Sequence, residues 1–415
     1  MRIFALLPDK RRIRSLSAGI LALLLCAGPA TAEMVLERVV LIQRHGVRAP
    51  TQSPETLAEW TRRPWPQWPV ARGLLTPHGA QVVGLVADAI RARYVAAGIL
   101  PATGCPGTSP VVWADGKDQR TRESGRVLAE QLAPGCGATA GHGPDGKADR
   151  LFNALGGACV LDPAAGTQAV RAAIGAGGAL VDPASAEAIR QTALLFDPAA
   201  PPLPPKPSDF VVEQKQIRIT GPLGRAATAA EVFLLEYAQG LPSPQVAWGE
   251  AADVGKLDAL LAARARVTSL NRKLPYIARL RGAGMARTML AVLRGDPRPA
   301  APEIGKAVRL VAFAGHDTNL SNMAGVFGVD WSLPGQPDAT APATAFALER
   351  WRDSRSGAAM VRATIFYAEL DGMRVLDPAK VHAVPVPLPD CPDGTCPLEA
   401  FTARILSTLP AACGR

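Results

Sequence analysis

Three short apolar runs, each ending in polar residues, constrain this chain more than any other feature. They are "MVLERVVLI" (34–42), "PVVWAD" (110–115) and "AVRLVAFAG" (307–315). Runs this short and this apolar read as strands buried on both faces. A helical pattern follows each one. After the first comes "LTPHGAQVVGLVADAIRARYVAAG", in which Thr76 can cap and Pro77 suits the first turn. Apolar residues recur there at 82, 83, 86, 89 and 90, and Gly98 can end the helix. "TRESGRVLAEQLA" follows the second run, and a helix start at His316-Asp317-Thr318-Asn319 follows the third. Strands alternating with helices predict an α/β fold, a mostly parallel sheet flanked by helices.

The middle of the chain breaks this rhythm. From about 165 to 270 it is Ala/Leu-rich and helical, as in "AATAAEVFLLEYAQG". The six prolines of "DPAAPPLPPKPSD" (197–209) interrupt it and forbid both helix and central strand, so this segment reads as a stiff surface connection. The expected organisation is an α/β domain from 33–165 and 270–415, with a helical insertion domain at 166–269.

Residues 1–32 read as a signal peptide. Lys10, Arg11, Arg12 and Arg14 precede the apolar run "AGILALLLCAGPA", which ends in Ala30-Thr31-Ala32. No later stretch reaches about 18 uninterrupted apolar residues, so no membrane partner is expected. Export places the mature chain in the periplasm or outside the cell. Without that leader it carries 40 basic and 35 acidic residues, a mild +5. Such a balance suits an anionic small molecule and gives no nucleic-acid footprint. Six cysteines remain, Cys105, Cys136, Cys159, Cys391, Cys396 and Cys413. An even number in an exported chain favours disulfides, with 15 pairings open. No C-x-x-C, no close histidine pair and no H-E-x-x-H occurs, so neither a metal nor any other cofactor is called for.

The polar clusters behind the three strands are Arg44-His45-Gly46-Val47-Arg48, Asp115 to Arg122, and His316-Asp317. In open α/β sheets ligands bind beyond the carboxyl ends of the strands, so clusters some 270 residues apart can converge. Arginines there can clamp a phosphate dianion through paired N–H donors, either Arg120 or Arg122 from the second cluster. Nearby cations keep His45 neutral, and a neutral imidazole beside phosphate is a nucleophile. Asp317 can supply the proton that a leaving alkoxide needs. Taken singly, R-H-x-x-R reads as a solvated basic loop and His316-Asp317 as a structural pair. Together at matching strand ends they read as a catalytic site. His78, His142 and His382 read as surface or structural. Within 141–149, Gly141, Gly143 and Gly146 match G-x-G-x-x-G and nearly match a phosphate loop. Ala148 replaces the needed Ser or Thr, and no strand is expected before it, so the stretch reads as a surface loop.

"RHGVRAPT" with "AGHDTN" resembles the histidine acid phosphatase family, in its branch of bacterial periplasmic acid phosphatases, phytases and glucose-1-phosphatases. "WPQWPV", "GLLTPHG", "DQRTRESG", "EVFLLEYAQG", "WSLPGQPD" and "ERWR" extend the likeness over nearly the whole mature chain. The resemblance implies a phosphoglycerate-mutase-like fold and a phosphomonoester hydrolase with a small-molecule phosphomonoester as substrate. It implies His45 as phosphoryl acceptor, Asp317 as proton donor, and Arg44, Arg48, Arg120 and His316 as phosphate ligands. It selects Arg120 over Arg122, adds Thr51 and Glu231 as secondary pocket residues, and pairs Cys105–Cys136, Cys159–Cys413 and Cys391–Cys396. Two departures stand out. The insertion has no cysteine for the further disulfide common in relatives, and Gln52 stands where phytase-like members tend to place Lys. Arg279 and Arg281 are the candidates to replace that cation. Phytate and sugar phosphates are the expected substrates. The rival readings are a narrow glucose-1-phosphatase, a phosphoryl mutase and a non-catalytic sugar-phosphate-binding protein. A monomer is expected, with acid preference because Asp317 must be protonated while His45 stays nucleophilic.

Overall fold

The computed structural model describes residues 33–108, 110–175, 178–196, 207–298 and 301–414. The expected signal peptide and most of the proline cluster, 197–206, lie outside them. The strands are β1 (Met34–Arg44), β2 (Val111–Ala114), β3 (Ala140–His142), β4 (Asp209–Glu213), β5 (Gln216–Thr220), β6 (Leu310–Gly315), β7 (Ala345–Asp353), β8 (Ala359–Ala368), β9 (Val381–Val386) and β10 (Cys396–Pro397). The helices begin with α1 (Pro54–Trp60), α2 (Pro77–Ala96), α3 (Gln119–Leu132), α4 (Pro163–Ile174), α5 (Pro183–Phe196) and α6 (Gly221–Ala238). They continue with α7 (Val254–Thr268), α8 (Pro275–Arg281), α9 (Ala283–Arg294), α10 (Asp317–Phe327), α11 (Leu370–Val375) and α12 (Leu398–Thr408).

The main sheet runs β10-β8-β7-β1-β6-β2-β3, with β9 on β8. Its β1, β6, β2 and β3 half is parallel. Beyond β1 the pairs turn antiparallel, and no strand–helix alternation marks those strands in the sequence. β1 is apolar without alternation because both its faces are covered. Val39 and Leu41 point to a core shared with Val82 and Leu128. Val40 and Ile42 point to one shared with Met289, Phe327 and Phe401. Helices therefore pack on both sides, as the strand–helix alternation predicts. Thr76 caps α2 as expected, its Oγ1 accepting from the Gly79 N–H at 2.8 Å.

Between residues 163 and 268 the described residues include four α-helices, which contribute to a separate small core that includes Leu161, Val170, Leu223 and Leu270. This stretch is not wholly helical: β4 and β5 form an antiparallel hairpin directly behind the proline cluster. A second difference concerns the glycine-rich stretch 141–149. β3 begins at Ala140 and runs into it, although turns follow and the next helix starts only at Pro163. The strand–turn–helix context of a phosphate loop is thus still missing. The three disulfides are Cys105–Cys136, Cys159–Cys413 and Cys391–Cys396.

Candidate active site

The parallel half of the sheet brings the three polar clusters to one edge. β1 pairs with β6 up to Arg44 opposite Gly315, and the His45 N–H extends the ladder by donating to the Gly315 carbonyl at 2.8 Å. On the other side of β6, the Asp115 N–H donates to the Ala314 carbonyl at 3.0 Å. The clusters are therefore neighbours at the carboxyl ends of adjacent parallel strands. Gly46 has no room for a side chain, because a Cβ there would lie 2.0 Å from the Gly79 carbonyl oxygen. That close approach seats the loop after β1 on the first turn of α2.

His45 is 2% exposed, and its Nδ1 lies 2.8 Å from the Gly46 carbonyl oxygen. A carbonyl only accepts, so Nδ1 carries the proton and Nε2 keeps its lone pair. Burial pushes the imidazole pKa well below its ordinary value, and Arg44, Arg120, His316 and Arg48 push the same way. The ring is neutral and its basic nitrogen is Nε2.

The guanidiniums around it are tethered by carboxylates and carbonyls. Arg44 donates to the Thr340 carbonyl at 2.5 Å and to Glu231 Oε1 at 3.0 Å, and Arg48 reaches the same Oε1 at 3.1 Å. Arg120 donates to Asp118 at 2.9 Å and to the Gly73 carbonyl at 3.3 Å. Arg122 turns away, to the Gly116 carbonyl at 2.7 Å and Asp145 at 3.4 Å. The Nε–H groups of Arg44, Arg48 and Arg120 are buried with no partner among the described residues. Glu231 is held below the ordinary carboxylate range. Burial alone would raise it, but Arg264, Arg48 and Arg44 outweigh burial.

The His316 ring stands edge-on to His45, centroids 5.6 Å apart, with its Nε2 3.0 Å from Asp115 Oδ2. Asp317 is the first residue of α10, where the helix dipole favours negative charge. Its Oδ1 accepts from the Thr318 N–H at 2.8 Å. Its Oδ2 accepts from Arg264 at 2.7 Å and from Arg272. Burial would raise this carboxyl, yet Arg272, Arg44 and Arg264 hold it well below its ordinary value. Thr51 is exposed, accepting from Gln52 at 3.4 Å, and its methyl lies beside Gly73. Arg281 is turned to the Lys215 carbonyl at 3.1 Å, while Arg272 reaches Asp317 directly.

Three members of this site had no role in the sequence reading: Arg264, Arg272 and Asp338. Arg264 carried a signal, for Leu257, Leu260, Leu261 and Arg264 form one stripe of α7 and all are buried. A charge on an apolar stripe needs a buried partner. Arg272 lies in a single π-helical turn, Ser269–Lys273, which local sequence does not announce. Of the remaining histidines, His78 lies 3.0 Å from the Ala238 and Met373 carbonyl oxygens, His142 is exposed near Asp145, and His382 meets Glu369 at 2.8 Å.

The histidine phosphatase superfamily (branch 2) matches residues 35–169 of the chain. Over 92% of this chain and 94% of the relative, the sequence is 32% identical to phytase AppA of Escherichia coli (strain K12). It is 25% identical to a glucose-1-phosphatase of Salmonella typhimurium, over 88% of this chain and 91% of that one. The fold matches the Hafnia alvei phytase in complex with tartrate with a TM-score of 0.85 and 33% identity, covering 92% of this chain and 99% of that one. The same phytase in complex with myo-inositol hexakis sulphate gives 0.85 and 32%, with the same coverage. Identity at this level along almost the full length of both chains carries more than the fold, and the chain belongs to the histidine phosphatase superfamily, branch 2.

Proposed function

We propose that the chain hydrolyses phosphomonoesters through a phosphohistidine on His45, with phytate as its lead substrate and sugar phosphates also accepted. One observation carries this reading. The Gly46 carbonyl fixes the His45 tautomer, so a buried neutral Nε2 stands amid arginines that can hold a phosphate dianion. In the first step the Nε2 lone pair attacks phosphorus while the ester P–O bond breaks. Arg44, Arg48, Arg120 and His316 hold the phosphoryl oxygens, and Asp317 protonates the departing alkoxide. In the second step water attacks the phosphohistidine, the N–P bond breaks, and Asp317 takes up the proton released. Asp317 is ionised beside Arg264 and Arg272. A bound phosphate dianion adds the negative charge that lets it hold a proton, and acid pH assists.

The phytase relatives support phytate, and the glucose-1-phosphatase supports sugar phosphates. Gln52 in place of a cation favours the narrower sugar-phosphate reading. Thr51 and Glu231 are assigned to the pocket, and the helical stretch 166–269 to substrate selection. Among the described residues no helix is long and apolar enough to cross a membrane. The enzyme acts as an exported, periplasmic or secreted monomer on small soluble substrates, without nucleic acid. His45→Ala is expected to lower p-nitrophenyl phosphate hydrolysis on the order of 10³-fold or more and to abolish the acid-labile phosphoenzyme. Substantial residual turnover would remove His45 from the nucleophile role. Relative kcat/KM on phytate, glucose 1-phosphate and a simple alkyl phosphate then ranks the substrates.

A further inference from the structure

Arg264 is the one residue that touches all three carboxylates at the heart of the site, among the described residues. Its guanidinium is 2.7 Å from Asp317 Oδ2, 2.9 Å from Asp338 Oδ2 and 3.3 Å from Glu231 Oε2. Arg44 spans Glu231 and Asp338, Arg48 reaches only Glu231, and Arg272 reaches only Asp317. Arg264 is 6% exposed, so this is a buried, fully paired cation rather than a surface ion pair. It comes from α7, on the helical stretch, whereas Asp317 and Asp338 belong to the α/β part of the chain.

We propose that Arg264 is a positioning residue for the acid step: it fixes the Asp317 carboxyl so that Oδ1 carries the proton, and it ties that proton donor to the helical insertion. The inference rests on the phosphohistidine reading above. Its geometry is direct. Two guanidinium N–H groups occupy Asp317 Oδ2, from Arg264 and from Arg272. Oδ1 meets only the Thr318 N–H and, at 3.5 Å, the Thr318 hydroxyl, so it is the oxygen left to bind and release a proton. Asp338 and Glu231 hold Arg264 from behind.

Arg264 also sets the pH above which that proton is lost. The charged groups facing Asp317 are Arg44 and Arg48 from the loop end of β1, Glu231 from α6, Arg264 from α7 and Arg272 from the π-helical turn. α8 also packs on α10 and brings Arg279 and Arg281. Removing one cation from this set makes the acid form easier to hold, so the alkaline limb of the acid step moves up in pH.

Arg264→Gln tests this with two substrates. For glycerol 2-phosphate, an alkyl ester that needs protonation, the alkaline limb of kcat, which reports the bound complex, should rise by about one pH unit, about tenfold in rate beyond the wild-type limb. For p-nitrophenyl phosphate, whose leaving group needs no proton, the limb should stay in place. Arg264→Lys keeps the charge but cannot span three carboxylates, so its limb should stay near wild type while the alkyl-to-aryl rate ratio falls. An unmoved limb in Arg264→Gln, or equal movement on both substrates, overturns the proposal. If that variant does not fold, Asp338→Asn removes the anchor on Arg264 Nε. A lower alkyl-to-aryl ratio then supports the proposal, and an unchanged ratio overturns it. Trapping the phosphoenzyme in the wild type separates the two readings: its absence sinks the phosphohistidine route, while its presence with an unmoved limb sinks only the role of Arg264.

Discussion

His45 and Asp317 are given opposite electrostatic settings within one pocket. Burial, with Arg44, Arg120 and Arg48, keeps the imidazole neutral, while Arg272, Arg44 and Arg264 keep the carboxyl ionised against burial. On the proposed mechanism the acid step is therefore the fragile one, and substituting Asp317→Asn should expose it. Turnover of an alkyl phosphate should fall by about 10²- to 10⁴-fold, while p-nitrophenyl phosphate loses far less. Equal losses on both substrates would assign Asp317 to binding alone. Residues like these were legible in the sequence because each adjoins the end of an apolar run. His45 is one residue beyond β1, and His316 and Asp317 directly follow β6. Arg272 and Asp338 were not, and Arg264 shows only as a charge on an apolar stripe, since their partners lie far off in the chain. Arg264 meets Asp317 53 positions away and Asp338 74 positions away.

Single elements carry their own pH dependence, and α6 shows it at Glu236. That carboxyl is 1% exposed, accepts from the Ala247 N–H at 2.8 Å, and has an Oε1 with no partner among the described residues. Burial pushes its pKa up to about 8, against the smaller opposing pull of the Ala247 hydrogen bond. The folded state thus holds a proton that the unfolded chain releases near the ordinary carboxylate range. Its contribution to stability is full below that range and is lost as pH rises toward 8. By pH 7 the loss is of order 3 kcal/mol. Glu236→Gln keeps the acceptor for Ala247 and removes the titration. Denaturant unfolding should show the variant more stable than wild type at pH 7 and nearly equal at pH 4.5; parallel pH curves would refute a buried neutral Glu236. The same scale shows what local pattern can and cannot announce. β1, β2 and β6 stand out because both faces are buried. The β4–β5 hairpin does not, for its strands are only five residues each and stand between a proline cluster and an Ala/Leu-rich helical stretch. β7 to β9 pair by hairpin-like and long-range ladders, so no strand–helix rhythm marks them.

At the scale of the whole molecule, the site is built from two parts of the chain that meet there, with Glu231 and Arg264 reaching it from the helical stretch and Arg44, His45 and Asp317 from the sheet edge. The three disulfides all join residues of the part that carries the sheet. Cys159, just before α4, is bonded to Cys413 across 254 positions. Cys105–Cys136 spans 31 positions and Cys391–Cys396 only 5. A cross-link restricts the unfolded chain more when it closes a longer loop, by about 5 kcal/mol for loops of hundreds of residues and about 2 kcal/mol for the shortest. Paired Cys→Ser variants should therefore lower Tm in a fixed order. The largest loss belongs to Cys159–Cys413, the next to Cys105–Cys136 and the smallest to Cys391–Cys396. The Cys159–Cys413 link also anchors the chain end against α9, where a Cβ on Gly414 would lie 2.6 Å from the Gly284 nitrogen. Packing and loop length thus act together at that link and set it apart. A greater Tm loss on removing Cys391–Cys396 than Cys159–Cys413 would show that native-state contacts, and not restriction of the unfolded chain, decide what each disulfide contributes.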